Sequence, residues 1–256
     1  MSKRQKFLIT SALLSLGFIV MQFLEGGMRF IAIGGLSVLT LGLFIWSLRE
    51  GLGKNMTLLS LVLPVAFTLG VGIFWFLLPA SPFTRLPVIA FYAIGIYVLC
   101  LTSNIYTVGA IRTIGLLRAA RGVGFVLTLV TSFLIFDAIF SLRTFPWVTS
   151  GLVAFCSFLL LSQGFWAIPL ETSFSRQLFS LAAVSSLVLA ELAIAIFFWP
   201  TSVVVGSLFL TIALYLLLGL GQAKLEGRLF AQTVREYLTL GVLVFLGMFL
   251  ATRWGG

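Results

Sequence analysis

Two carboxylic acids sit inside apolar runs of this chain, and they are the residues best placed to do chemistry. Glu191 lies in SSLVLAELAIAIFFW and Asp137 in TSFLIFDAIF. An acid in the apolar part of a membrane helix costs about 2.5 to 3.5 kcal/mol on insertion scales unless it is protonated or paired, so something must compensate each one. With the helix boundaries given below and a rise of 1.5 Å per residue, Glu191 lies about 12 Å and Asp137 about 7 to 8 Å inside the same edge of the membrane. Tyr92, Tyr97, Gln22, Ser207 and Thr211 fall at comparable depths if their helices are neighbours.

Two readings of that set stay open. In one, Glu191, Asp137, Tyr97 and Tyr92 form a polar pocket that opens away from the cytoplasm and takes a proton or a cation. In the other, each carboxyl is protonated or bonded to a tyrosine or serine across a helix interface and orders the bundle, with Arg143 or water in reach of Asp137. No other chemistry competes. The chain has no histidine, which removes the usual general base and the usual zinc and haem ligand. Cys100 and Cys156 each fall in an apolar run and read as small core residues, not as a disulfide or a metal clip. Neither a paired-aspartate metal motif nor a nucleophile-and-base spacing is present. The expectation is a protein that is not an enzyme and carries no metal or cofactor.

The elements that must position these residues follow from composition. Hydrophobic residues make up 61% of the chain and charged residues 9%, too few to cover a water-facing surface. The solvent is therefore a bilayer, which takes about twenty apolar residues per helical pass. The sequence predicts an all-α, polytopic integral membrane helical bundle of about nine spans, at residues 7–24, 30–48, 56–78, 88–106, 122–142, 147–170, 177–199, 201–220 and 238–252. Residues 1–256 are expected to form a single transmembrane domain. If the last apolar run lies at the interface, eight spans remain. Pro64 is expected to kink the third helix, and the three prolines of 79–87 to hold a loop. Gly26 and Gly27 offer a tight reversal after the first span. Along the seventh, Ala182, Ser186, Ala190 and Ala193 form a face of small residues, the mark of a helix approached closely by another.

Basic residues give the threading. With a cytoplasmic amino terminus, the cytoplasmic segments hold Lys3, Arg4, Lys6, Arg49, Lys54, Arg112, Arg118, Arg121, Arg176, Lys224, Arg228 and Arg235. The other side holds Arg29, Arg85, Arg143 and Arg253. That excess is the sign that sets orientation. The six tryptophans all fall near span ends, where an aromatic belt belongs. Two basic segments, 109–121 and 224–237, are expected to lie as helices along the membrane surface, where Arg112, Arg118, Arg121, Lys224, Arg228 and Arg235 meet anionic lipid headgroups. The formal charge of +9 is spread singly between apolar runs, so nucleic acid is not the expected partner.

The chain is thus expected in a cell membrane, a bacterial cytoplasmic membrane, with the bilayer as its first partner and other membrane proteins or further copies as others. The leading expectation is a transporter or permease for a proton, cation or small solute. The alternative is a structural or accessory subunit of a membrane complex, with a lipid-acting enzyme third.

Overall fold

The structure is a computed structural model that describes residues 2–24, 26–53, 56–78, 82–111 and 115–252, without the side chains of 82–84. It is all-helical. Nine helices are long and apolar enough to cross a membrane among the described residues: α1 (Lys3–Met21), α2 (Met28–Leu48), α3 (Val62–Leu77, entered through a 3-10 turn at Thr57–Leu61), α4 (Pro82–Gly109), α5 (Leu117–Ser141), α6 (Pro146–Trp166), α7 (Arg176–Phe197), α8 (Val203–Leu225) and α9 (Ala231–Ala251). The protein is a multi-pass helical membrane protein.

Local chemistry sets the helix starts. Ser2 and Gln5 form a reciprocal capping box on α1, Ser175 and Ser202 cap α7 and α8, and Pro146 opens α6, where a missing N–H costs nothing. The reversal between α1 and α2 rests on Gly26 at φ +62°, whereas Gly27 has ordinary helical angles.

Several boundaries differ from those read in the sequence. Helix α4 begins at Pro82 and carries Pro87 within it, so 82–87 is helix and not loop; residues 79–81 lie outside the described residues. A proline in the first turn of a helix removes a donor that has no helical partner, which is why Pro82 starts the helix. Pro64 stands at the third position of α3, directly after the 3-10 turn, and not at mid-helix. Neither expected surface helix is a separate element among the described residues, which leave out 112–114. Residues 117–121 are the first turn of α5, and 224–237 divides between the end of α8, a turn at Gly227 (φ +69°) and the first turns of α9. Continuing a membrane helix satisfies the backbone hydrogen bonds that a separate short helix would leave open at both ends.

The chain divides into two compact units, one of Met1–Leu127 with Leu170–Ser173, the other of Thr128–Pro169 with Phe174–Gly256. In the first, α1 to α4 run alternately up and down around Phe18, Phe67 and Tyr92, whose rings stack at 4.7 Å (Phe18 and Tyr92) and 6.0 Å (Phe67 and Tyr92). Gly95 permits this, because a side chain there would strike the Phe67 ring. In the second, α6 packs against α7 and α8. The small face of α7 is buried at Ala182, Ser186, Ala190 and Ala193, as its residue types predict, and Ser150 of α6 donates to the Ala190 carbonyl at 3.0 Å. Helices α6 and α8 cross at two glycines: Leu218 lies over Gly164 and Phe165 over Gly221, and the Gln222 amide donates to the Gly164 carbonyl at 3.0 Å. Helix α9 is peripheral, with Met248 as its buried residue.

Candidate functional site

The four residues of the expected polar pocket fall into different surroundings. Tyr92 is fully buried in the first unit, and its hydroxyl is used. It bonds Thr68 at 3.1 Å, Thr68 bonds Thr40 at 3.1 Å, and Thr40 donates to the Leu36 carbonyl at 2.8 Å. This chain of hydroxyls ties α2, α3 and α4 together. Tyr97 is half-buried on the same helix. Ser207 and Thr211 spend their hydroxyls on carbonyls of α8 itself.

Asp137 belongs to the second unit. It lies four residues before the end of α5, about 6 Å along the helix. Its side chain is buried, as are the five neighbours from Leu134 to Ile139 other than itself, so this turn of α5 is enclosed on all sides. Its Oδ1 has no hydrogen-bond partner among the described residues. Arg143 forms no ion pair with it. Deeper in the span, about 15 Å from the end of α5 and about 16 Å from the start of α6, Thr131 and Ser157 also have buried hydroxyls without hydrogen-bond partners among the described residues.

Glu191 lies six residues before the end of α7, about 9 Å along the helix. It is exposed, unlike Asp137, so the two acids do not line one pocket. Its neighbours on that face are Val184, Leu187, Val188 and Ala195, all exposed. The reason is rotational: the adjoining Ala190 and Ala193 turn inward to α6, which leaves position 191 on the outside.

The basic residues gather at one end of each unit. In the first unit, Lys3 and Lys6 pair with Glu50 at 3.0 and 3.8 Å, joining the start of α1 to the end of α2. Arg118 is exposed and Arg121 half-buried at the start of α5, near the Tyr106 hydroxyl that donates to the Ala120 carbonyl at 3.0 Å. Arg112 lies outside the described residues. In the second, Lys224 and Arg235 are exposed at the end of α8 and the start of α9, and Arg228 between them pairs with Glu226. In that first cluster the Lys3 ammonium, with Lys6 behind it, outweighs a smaller opposing effect of desolvation and holds the Glu50 carboxylate below its usual range.

One feature escaped the sequence reading. At the opposite end of the second unit, where α6 and α8 begin and α7 and α9 finish, a half-open pocket of about 280 Å³ is lined by Arg143, Thr201 and Ser202 and by an apolar wall that includes Phe140, Phe197 and Trp199. The Trp199 indole donates to Thr252 at 2.8 Å and fixes the end of α7 to that of α9. The available signal was Arg143 itself, a cation placed in a short turn on the side with few cations.

No curated protein and no solved structure matches the chain. A family model does match, over residues 9–251, and the chain belongs to that family, described as Protein of unknown function (DUF5656).

Proposed function

We propose that the protein is a non-catalytic subunit of a larger assembly in a cell membrane, threaded with its amino terminus in the cytoplasm and joined to a partner along the exposed face of α7. The observation that carries this reading is Glu191, an ionisable side chain exposed among Val184, Leu187 and Val188 in a membrane-spanning helix. Facing lipid, that carboxyl costs about 2.5 to 3.5 kcal/mol on insertion scales. A partner helix that offers a lysine, an arginine or a hydroxyl at the same depth removes the cost and fixes the register of the pair. The test is the size of the particle extracted from native membranes in mild detergent, for the native chain and for Glu191→Leu. A particle larger than one chain that shrinks in the variant supports the reading; a single chain in both overturns it.

A second reading, transport of a proton, cation or small solute, is favoured by Asp137. Buried polar atoms without protein partners, here Asp137, Thr131 and Ser157 in one unit, are places where water is held. Vesicle flux that is present for the native chain and absent for Asp137→Asn supports it, and background flux in both removes it.

A further inference from the structure

We propose that the pocket at the Arg143 end of the second unit binds an anionic phospholipid, with its phosphate held by Arg143 and the start of α8 and an acyl chain laid on Phe140, Phe197 and Trp199. Four observations converge on this. Arg143 is exposed in the pocket wall and has no carboxylate in ion-pair range among the described residues. Its guanidinium carries donors shaped for a phosphate. Next to it begins α8, a helix of 23 residues whose first N–H groups lack helical partners, the Ser202 hydroxyl accepting only from Val205 at 3.4 Å. Thr201 lines the same cavity, and its Oγ1 is buried without a hydrogen-bond partner among the described residues.

The rest of the lining argues for an amphiphile over a free anion. A small anion would leave Phe140, Phe197 and Trp199 uncovered, whereas an acyl chain covers them. Helix ends and Trp199 place the cavity where span meets headgroup, the level at which a lipid phosphate lies. Arg143 also stands on the side with few cations, so retention of the cytoplasmic loops does not account for it.

The test follows thermal unfolding of the full chain in a non-ionic detergent, titrated with short-chain phosphatidylglycerol, with phosphatidylcholine of the same chain length, or with inorganic phosphate. Phosphatidylglycerol is expected to raise the midpoint saturably, and Arg143→Gln to require about ten-fold more of it, the scale of one lost charge-assisted hydrogen-bond pair. Arg143→Lys should fall between the two. An equal response to phosphatidylcholine, or an unchanged titration in Arg143→Gln, overturns the site. A matching response to inorganic phosphate overturns the lipid as its occupant. Should Arg143→Gln not fold, the native chain is titrated at about 0.1 M and about 1 M salt, which shortens the screening length from about 10 Å to about 3 Å; salt-independent affinity then overturns the proposal.

Discussion

Ser103 on α4 donates its hydroxyl to the backbone carbonyl of Ser60, 3.3 Å away, and Ser60 stands four residues before Pro64. Ser60 belongs to the 3-10 turn that leads into α3, and Pro64, in the first turn of that helix, has no N–H to offer back to it. A side chain of the neighbouring helix supplies the donor instead. This is how a proline is carried in a membrane helix without leaving its acceptor bare.

Ser103→Ala is accordingly expected to destabilise the chain by about 1 kcal/mol, because it removes a hydrogen bond between buried groups. Pro64→Ala restores a local N–H, so Ser103→Ala should cost less in that background. Unfolding of the four chains of this double-mutant cycle in detergent checks it, and strict additivity would show that the two residues do not share the acceptor.

The crossing of α6 and α8 makes a second prediction. A methyl group at Gly221 meets the ring of Phe165, whereas one at Gly164 meets a terminal methyl of Leu218, which can rotate away. Gly221→Ala should therefore lower stability by about 1 to 3 kcal/mol and Gly164→Ala by less. Phe165→Leu, by shortening the obstructing side chain, should recover part of the loss in Gly221→Ala. Equal effects at the two glycines would contradict the geometry.

Glu50 makes a third. Lys3 and then Lys6 hold its carboxyl below the ordinary value, so the pairing contributes above the unfolded pKa and is lost as pH falls through the lower folded one. The residue is exposed, so the effect is small and sensitive to salt. The acid limb of the stability profile should be shallower in Glu50→Gln at low ionic strength, and the two profiles should converge at high salt.

Depth was legible in the sequence and rotation was not. Eight spans were marked by apolar length and a ninth was marked with an interfacial reading beside it, and span ends were marked by Trp46, Trp75, Trp147, Trp166 and Trp199, because a bilayer fixes how far apart the polar ends of a helix lie. The same solvent hides which face turns inward: in lipid both faces of a helix are apolar, so no alternation tells Asp137, enclosed, from Glu191, exposed. The small residues of α7 were the exception, since Ala182, Ser186, Ala190 and Ala193 mark a contact by size where hydropathy is silent. The merging of 117–121 into α5, and of 224–237 into α8 and α9, escaped for a related reason. An amphipathic pattern at a span end looks alike whether the helix lies on the surface or continues inward.

The claim that α7 presents Glu191 to a partner is tested most directly by photo-crosslinking in native membranes, with the reactive group placed at Leu187 or, as a control on the peripheral helix, at Leu250. Both positions are exposed, at 60% and 81%. The account predicts a discrete higher-mass adduct from position 187 that disappears in Glu191→Leu, and none from 250. Lipid adducts alone from both positions, or an adduct at 187 that survives the loss of Glu191, would contradict it.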